Sequence, residues 1–275
     1  MRRLEGRVVA ITGAGGGIGR ALAVAFARAG CAVALSDRST EALEATRAAL
    51  PPGTQVHVAT VDVGDYDAMV AWRDAVVAAL GGVDVVVNNA GITVFGTFEE
   101  HTHDEERRLL DVNLRGVLHG CRAFLPAIRA RGGGQIVNLS SMAGYVGIPY
   151  QSLYCATKFA VHGLSQALRA ELAPDGIGVT SVHPGTVRTG VLAHASSHDS
   201  GLSGRLGELM LRFGMSPDRV AGRVVRAVRR NSGEVRMTLE CHATWLAVRV
   251  SPWLVGVAMG LLARVGRRLR SEQGR

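Results

Sequence analysis

The chain is almost without lysine: Lys158 is the one lysine among its 31 basic residues, and the other 30 (31 − 1) are arginine. Aromatic residues make up only 5% of the 275 residues, and no segment combines them with basic residues as nucleic-acid-binding motifs do. The four cysteines lie far apart and form no CxxC pair, which excludes the usual zinc and disulfide patterns. We therefore expect no nucleic-acid partner, and we expect reduced, packed cysteines at Cys31, Cys121, Cys155 and Cys241.

Long apolar segments are also missing. No run of apolar residues approaches the ~20 that a membrane-spanning helix requires. Arg2 and Arg3 begin like a secretory signal, but Glu5 and Arg7 interrupt the pattern, and the apolar run at residues 8–11 is too short. We expect a cytoplasmic protein.

Positive charge is concentrated in the last quarter of the chain. Residues 205–275 contain 14 arginines and five acidic residues, whereas residues 1–204 contain 17 basic and 18 acidic residues. Such asymmetry indicates either solvated arginines on helix faces or an anionic partner such as a membrane surface. We favour solvated helix faces and keep membrane contact as the alternative.

Glycine, in contrast, is abundant, with 35 residues, and its most informative cluster lies near the start. Residues 7–12 predict a short buried strand, residues 13–19 form the glycine turn GAGGGIG, and a helical pattern follows to Gly30. Glycine lets the backbone approach a pyrophosphate closely, and the helix N-terminus favours the negative charge. Together the strand, turn and helix predict a dinucleotide-binding unit.

Asp37 follows the second predicted strand, residues 31–36, where an acidic side chain accepts hydrogen bonds from an adenosine ribose. Its charge would repel the 2′-phosphate of NADP, and the glycine turn contains no basic residue. Arg38 follows directly and is suited to bind that phosphate instead. We predict NAD as the preferred cofactor and keep NADP as the alternative.

Strands and helices then alternate along the chain. Helices are predicted at residues 40–50 and 65–80, and strands at residues 55–61, 83–87 and 135–139. Alternation of this kind predicts a parallel sheet covered by helices on both faces. A helix that begins at Ser216 and a last strand at residues 234–239 complete a single predicted domain, residues 1–242.

Polar residues follow two of these strands at their carboxyl ends, where ligands bind in such sheets. Asn88-Asn89-Ala90-Gly91 ends the fourth strand, and Ser140 and Ser141 follow the fifth. Further along, Tyr154 and Lys158 are spaced to share one face of a helix, so that their side chains can interact.

These motifs occur together in a fixed order: Thr12-Gly13-x3-Gly17-Ile18-Gly19, Asn88-Asn89-Ala90-Gly91, Ser141, Tyr154-x3-Lys158 and Pro184-Gly185-Thr186-Val187-Arg188-Thr189. Over residues 6–189 the chain resembles the single-domain branch of the short-chain dehydrogenase/reductase family, and every motif position is matched. The resemblance implies a doubly wound α/β Rossmann fold, with a seven-stranded parallel sheet in the order 3-2-1-4-5-6-7 and helices on both faces. It also implies a homodimer or homotetramer.

The resemblance implies a catalytic set of Asn113, Ser141, Tyr154 and Lys158. A free tyrosine titrates near ~10 and is a poor base at neutral pH, but a nearby ammonium favours the phenolate. Tyr154 would exchange a proton with the substrate oxygen while hydride passes between the substrate carbon and the nicotinamide. Ser141 would hold that oxygen, Lys158 would also bind the nicotinamide ribose, and Asn113 would position a water that relays the proton.

Cofactor contacts are implied by the same resemblance. The glycine turn would lie along the pyrophosphate, Asp62 and Val63 near the adenine, and Val187 and Thr189 at the nicotinamide carboxamide. The full set is Gly13, Gly17, Ile18, Gly19, Asp37, Arg38, Asp62, Val63, Asn89, Ala90, Gly91, Tyr154, Lys158, Pro184, Gly185, Val187 and Thr189.

Residues 190–215 are expected to form an insert that closes over the substrate, as such segments do in this family. Apolar residues there and after Ser141 indicate a lipophilic alcohol or ketone, which is steroid-like, retinoid-like or a long-chain alcohol. The predicted substrate contacts are Ser141, Met142, Ile148, Tyr154, Leu192 and Met210.

Two histidine pairs have ligand-like spacing, His101 with His103 and His194 with His198. Because neither pair has a helical context or a third ligand, we interpret all four as loop histidines and predict no metal site.

Residues 243–275 extend beyond the usual end of the fold. Residues 253–263 are apolar and are followed by Arg264, Arg267, Arg268 and Arg270. Such a segment can lie in a membrane interface, and it can equally pack over a neighbouring subunit or the active site.

The sequence thus predicts an NAD(P)-dependent oxidoreductase acting on CH–OH groups. Our first hypothesis is an NAD-dependent dehydrogenase of a lipophilic secondary alcohol. An NADPH-dependent carbonyl reductase with the same residues is the alternative, and a nucleotide-binding regulator without turnover is the third hypothesis.

Overall fold

The computed structural model describes residues 2–188, 196–198, 204, 208 and 211–273. Seven strands form one parallel sheet: β1 Val8–Thr12, β2 Ala32–Asp37, β3 Val56–Thr60, β4 Val85–Asn88, β6 Gly134–Leu139, β7 Ile177–His183 and β9 Glu234–Arg236. Their spatial order is β3-β2-β1-β4-β6-β7-β9. Numbered by themselves along the chain, these strands have the predicted order 3-2-1-4-5-6-7, which is confirmed.

Two short strands, β5 (Val94–Phe95) and β8 (Ser196–Ser197), form a separate parallel pair. In the large sheet, β1 pairs with both β2 and β4, so the strand order reverses beside β1. In open α/β sheets, ligands bind at the carboxyl ends of the strands next to such a reversal. The fold therefore places the crevice beside the glycine turn and the Asn88 segment.

Helices connect the strands along the described part of the chain. They are α1 Gly17–Arg28, α2 Thr40–Ala48, α3 Tyr66–Leu80, α4 His103–Leu110, α5 Gly116–Ala130, α6 Ser152–Glu171, α7 Pro217–Arg230, α8 Leu239–Val250 and α9 Pro252–Gln273. A single π-helical turn, Asp111–Arg115, joins α4 to α5. Three 3-10 turns lie at Phe98–Glu100, Met142–Gly144 and Ala173–Asp175.

The sheet separates two apolar cores, as predicted for strands covered on both faces. On one face Ile11 packs with Phe26 of α1, and on the other Val86 packs with Trp72 of α3 and Phe124 of α5. The rings of Trp72 and Phe124 meet edge to face, with their centroids 5.0 Å apart. Burial of each such side chain contributes roughly 1.5–3 kcal/mol, so the two helix layers hold the sheet rigidly beneath the crevice.

The last strand is shorter than predicted, since β9 ends at Arg236 and Leu239 already begins α8. The side chain of Thr238 accepts a hydrogen bond from the backbone N–H of Cys241 at 3.3 Å, which caps the helix. This local cap overrides the apolar pattern that suggested a longer strand. All four cysteines are buried and unpaired, as predicted.

Helix α9 returns towards the crevice and leaves an apolar face exposed. The Tyr150 hydroxyl donates a hydrogen bond to the carbonyl oxygen of Ala263 at 2.9 Å, and Arg270 donates to Glu100. The backbone of Tyr150 adopts the left-handed conformation, with φ +67°. In the same helix Leu254 and Leu261 are 57% and 54% exposed. Among the described residues, no helix has both the length and the apolar content needed to cross a membrane.

Candidate active site

The glycine turn connects β1 to α1 and leaves the amino end of α1 accessible. Gly13 has φ +64°, a conformation that favours glycine, and an added Cβ would overlap the backbone of Ala90. An added Cβ on Gly16, the residue before α1, would meet nothing within 4 Å among the described residues. No side-chain cap and no acidic residue in the first turn satisfies the backbone N–H groups there. These N–H groups therefore suit a pyrophosphate.

Asp37 lies at the end of β2 beside the glycine turn. One carboxylate oxygen accepts a hydrogen bond from the N–H of Gly15 at 2.9 Å, and the other accepts one from the N–H of Arg38 at 2.7 Å. The side chain of Arg38 is directed at Asp62, with its Nε 3.7 Å from a carboxylate oxygen. Val63 is buried beside Asp62. The acid of Asp37 is thus held at the turn, while Arg38 pairs with a second acid.

Thr12 and Asn89 fasten the glycine turn to the end of β4. The side-chain amide of Asn89 donates hydrogen bonds to the carbonyl oxygens of Thr12 at 2.9 Å and Gly13 at 3.0 Å. The hydroxyl of Thr12 accepts a hydrogen bond from the N–H of Ala90 at 3.1 Å. Asn89 therefore shapes the turn from behind, which gives this predicted cofactor residue a structural task as well.

Asn113 lies in the π-helical turn and is fully buried. Its side chain exchanges two hydrogen bonds with the backbone of Ile92, at 2.8 and 2.9 Å, and its Nδ2 lies 3.3 Å from the hydroxyl of Thr157. A Cβ added to Gly91 would lie 3.4 Å from Asn113 Oδ1 and 3.5 Å from Lys158 Nζ. The extra residue of a π turn is frequently found at functional sites, and here it places Asn113 near α6.

Ser140 and Ser141 follow β6 and differ in their contacts. The hydroxyl of Ser140 donates a hydrogen bond to the carbonyl oxygen of Lys158 at 2.9 Å, which ties the end of β6 to α6. The hydroxyl of Ser141 accepts a hydrogen bond from the N–H of Ala143 at 3.1 Å and lies near enough to Tyr154 to lower the pKa of its phenol. Ser141 is half-buried, so its hydroxyl faces the crevice while its position is fixed.

Tyr154 and Lys158 lie one turn apart on α6. Lys158 Nζ is 5.6 Å from the centroid of the Tyr154 ring and donates a hydrogen bond to the carbonyl oxygen of Leu139 at 2.9 Å. Burial lowers the pKa of Lys158 to about 8. Burial raises the pKa of Tyr154, whereas the nearby hydroxyl of Ser141 acts in the opposite direction. A buried ammonium beside a phenol is the arrangement that favours the phenolate.

A buried histidine network, which no sequence pattern predicted, supports Ser141 from behind. His183 Nδ1 lies 2.9 Å from the carbonyl oxygen of Ser141, and His183 Nε2 lies 2.9 Å from Nδ1 of His162. The ring of Tyr145 stacks on His183, with centroids 4.1 Å apart, and its hydroxyl donates a hydrogen bond to Glu234 at 2.6 Å. The one available sequence signal is that His183 directly precedes the Pro184 motif.

The other predicted contacts lie at the same edge of the sheet. The N–H of Met142 donates a hydrogen bond to the carbonyl oxygen of Pro184 at 2.8 Å, and Ile148 is half-buried. Val187 is buried and pairs with Met215. The predicted residues Thr189, Leu192 and Met210 lie outside the described residues, as does His194.

Comparisons with known proteins agree with this geometry. The family described as short chain dehydrogenase matches residues 7–200 of the chain. The chain is 40% identical over 255 residues to the putative oxidoreductase SadH of Mycobacterium tuberculosis, covering 91% of this chain and 92% of that protein. It is also 40% identical over 188 residues to a 3-alpha-(or 20-beta)-hydroxysteroid dehydrogenase of Mycobacterium bovis, covering 68% of this chain and 71% of that protein.

Solved structures of similar proteins share the fold. A short chain dehydrogenase/reductase from Burkholderia phymatum, in complex with NAD, has a TM-score of 0.85 and 30% identity, covering 92% of this chain and 96% of that chain. Levodione reductase has a TM-score of 0.76 and 31% identity, covering 84% of this chain and 95% of that chain. The chain belongs to the short-chain dehydrogenase/reductase family and is an oxidoreductase of that family.

Proposed function

We propose that the protein is an NAD-dependent dehydrogenase that interconverts a lipophilic secondary alcohol and its ketone. The observation that carries the proposal is the arrangement of Tyr154, whose phenol is influenced by the nearby hydroxyl of Ser141 and lies beside the buried ammonium of Lys158. A phenol, an orienting hydroxyl and a cation suit proton exchange with an alcohol oxygen. The glycine turn and Asp37 suit the adenosine half of a dinucleotide.

When bound, the nicotinamide cofactor accepts hydride from the alcohol carbon or donates it to the ketone carbon. Residues of the chain then transfer the proton to and from the substrate oxygen. Tyr154 takes the proton from the alcohol oxygen in oxidation and returns it in reduction, while the hydroxyl of Ser141 donates a hydrogen bond to the same oxygen. Lys158, whose pKa of about 8 keeps it largely protonated at neutral pH, lowers the free energy of the Tyr154 phenolate.

Asn113 provides the route by which the proton leaves. Its Oδ1 and the Nζ of Lys158 both face Gly91, because a Cβ there would lie 3.4 and 3.5 Å from them. A water between the two would accept a proton from Lys158 and pass it outward. The hydrogen bonds of Asn113 with Ile92, at 2.8 and 2.9 Å, fix its side chain for this task.

NAD is preferred over NADP in this proposal because the carboxylate of Asp37 repels a 2′-phosphate. Arg38 is directed at Asp62, with its Nε 3.7 Å from a carboxylate oxygen. The sharp test is Asp37→Asn, which keeps oxygen and removes charge, so the hydrogen bond from Gly15 can remain. We expect the Kd of NADP to fall at least tenfold in Asp37→Asn. Preference for NADP in the natural chain would favour the NADPH-dependent carbonyl reductase instead.

A lipophilic substrate is supported by Met142 and Ile148, two apolar side chains that follow Ser141 at the crevice. The hydroxysteroid dehydrogenase relative supports a steroid-like substrate. The test is a panel of steroids, retinoids and alkanols with both cofactors, read as absorbance of the reduced nicotinamide. A preference for small polar sugars would contradict the proposal.

Tyr154→Phe and Tyr66→Phe form a matched pair for the catalytic role. Tyr66 is 36% exposed at the start of α3 and takes no part in the proposed proton transfer, so its hydroxyl serves as a control. We expect turnover to be lost in Tyr154→Phe and kept in Tyr66→Phe. A protein that binds NAD but shows no difference between the natural chain and Tyr154→Phe would be the nucleotide-binding regulator.

We further propose that the enzyme is cytoplasmic and that α9 rests on an anionic membrane surface. Leu254, Val257, Leu261 and Val265 share one face of α9 and are 57%, 45%, 54% and 54% exposed. An apolar face with a basic end suits an anionic lipid interface. The test is co-sedimentation of the protein with anionic and with neutral vesicles. The fraction of protein that co-sediments should fall in the double variant Leu254→Ser/Leu261→Ser. If light scattering instead shows that the same variant no longer forms a homodimer or homotetramer, the face is a subunit interface.

A further inference from the structure

Two segments that are distant in sequence bring three metal-ligating side chains together beside the β5–β8 pair. His101 follows the 3-10 turn Phe98–Glu100, Glu105 lies in the first turn of α4, and His198 follows β8. One potential ligand atom from each residue lies within 4.8 Å of the others. The Nε2 of His198 is 2.9 Å from a carboxylate oxygen of Glu105, across 93 residues of sequence.

The side chain of Glu105 and the backbone of His198 are held by neighbours outside the cluster. Glu105 accepts a hydrogen bond from the N–H of Thr102 at 3.0 Å and thereby forms the capping box of α4. The N–H of His198 donates a hydrogen bond to the carbonyl oxygen of Phe95 at 3.0 Å. The hydrogen bond from Thr102 is an outer contact of the kind that orients a carboxylate ligand.

His101 supplies the observation that points to a ligand. Both of its ring nitrogens are buried and have no hydrogen-bond partner among the described residues. The backbone of Gly96 faces the ring, but its geometry falls short of a hydrogen bond. A buried imidazole with two unsatisfied nitrogens is costly unless something binds to it.

We propose that His101, Glu105 and His198 bind a divalent transition-metal ion, for which Zn²⁺ is the best-suited candidate. Two imidazoles and one carboxylate match the ligand types that zinc takes, whereas calcium and magnesium prefer oxygen ligands. Zinc bonds of about 2.0–2.2 Å place tetrahedral ligand atoms about 3.4 Å apart. The ligand atoms lie within 4.8 Å of one another, and the His198–Glu105 pair is 2.9 Å apart, so small side-chain rotations would bring all three to this spacing. A water would complete the tetrahedron.

The ion would have a structural role, in which it joins two parts of the chain, rather than a catalytic role. Among the described residues, no hydrogen bond or ion pair joins any of the three ligands to Ser141, Tyr154 or Lys158. The site joins His198, which follows β8, to the start of α4. Metal binding would therefore hold residues 196–198 against α4. This inference does not rest on the proposed dehydrogenase activity.

The test is zinc titration of the untagged, chelator-treated full chain by calorimetry. We expect one zinc per chain, with affinity at least tenfold weaker in His101→Ala, Glu105→Gln and His198→Ala. Glutamine can replace glutamate in a capping box, so Glu105→Gln preserves the start of α4. His103→Ala is the matched control, since the His103 side chain is exposed and pairs with Glu106 instead.

A second readout uses Co²⁺ as a spectroscopic substitute. Visible absorption typical of a low-coordinate cobalt site should appear in the natural chain and in His103→Ala, and it should be lost in His198→Ala. Circular dichroism of each variant confirms that it is folded. The proposal is overturned if the natural chain shows no saturable zinc binding, or if the three ligand variants bind zinc as His103→Ala does. The His198–Glu105 contact would then be a hydrogen bond alone.

Discussion

The Nδ1 atom of His183 lies 2.9 Å from the carbonyl oxygen of Ser141, so a buried imidazole holds the backbone of the proposed substrate-orienting residue. Burial lowers the pKa of His183 to about 4, from 6.5 for an ordinary histidine. Between these pH values the unfolded chain binds a proton that the folded chain does not. The free energy of unfolding should therefore be largest above about pH 6.5 and fall as the pH drops towards 4, by up to about 3 kcal/mol from this residue.

Urea denaturation at pH 7 and pH 5 measures this difference. His183→Gln should reduce the loss of stability between the two pH values, while the exposed control His103→Gln should not. Burial also lowers the pKa of His162, so the pH dependence should decrease rather than vanish. An unchanged pH dependence in His183→Gln would contradict the assignment.

Lys158→Met should stabilise the cofactor-free protein while abolishing turnover. Burial lowers the pKa of Lys158 from 10.5 to about 8, so below pH 8 the folded chain carries a buried ammonium at a cost in stability. That cost is relieved as the pH rises from about 8 towards 10.5. Methionine fills the space without charge, and we expect about 1–3 kcal/mol of added stability at pH 7. A loss of stability on urea denaturation would contradict this account.

The single lysine also permits a direct measurement of its pKa. Because Lys158 is the one lysine in the chain, selective carbon-13 labelling of lysine gives one side-chain ε resonance. Its pH titration should have a midpoint near the pKa of about 8 that burial imposes. A midpoint near 10.5, the ordinary pKa of lysine, would show that burial does not destabilise the ammonium.

Gly120→Ala and Gly163→Ala should shift stability in opposite directions. A Cβ on Gly120 of α5 would overlap the side-chain oxygen of Asn88, whose amide donates a hydrogen bond to Asn138 at 2.8 Å. We expect a loss of about 1–3 kcal/mol from this overpacking. Gly163 of α6 has nothing within 4 Å of an added Cβ, so alanine should gain about 0.5–1 kcal/mol from helix propensity. Thermal denaturation of both variants provides the measurement, and shifts of the same sign would contradict it.

Arg270→Gln should loosen α9 without affecting the sheet. Hydrogen bonds from Arg270 and from Thr97 lower the pKa of Glu100 to about 2, so Glu100 carries its charge throughout the neutral range. Loss of the guanidinium should increase amide hydrogen exchange in the second half of α9, whereas β1 and β4 should stay protected. Arg267→Gln, at an exposed position of the same helix, is the control. Equal exchange in both variants would mean that the Glu100 contact does not hold the helix.

The sequence predicted the sheet and the glycine turn well because their signals are local. The strand at Val8–Thr12, the turn at Gly13 and the helix that follows lie within one continuous stretch, and its order survives folding. The position of Leu239 was predicted wrongly because the capping contact of Thr238 competes with an apolar pattern that suits a strand equally.

Other features depend on contacts between distant residues and leave no pattern in the chain. The π-helical turn at Asn113 depends on two hydrogen bonds with Ile92, which lies 21 residues earlier. The sequence paired His101 with His103 and His194 with His198, whereas the fold brings His101 to His198 and adds Glu105. The histidines behind Ser141 likewise meet only when α6 packs on β7.

Tyr150 connects the backbone at Gly96 to helix α9. Its backbone is held at φ +67°, its carbonyl oxygen accepts a hydrogen bond from the N–H of Gly96, and its hydroxyl holds α9 at Ala263. Since α6 begins at Ser152, a force applied to α9 reaches the first turn of the helix that carries Tyr154. A fusion partner or a surface attached to α9 would therefore transmit force to the helix turn that carries Tyr154, the proposed catalytic tyrosine.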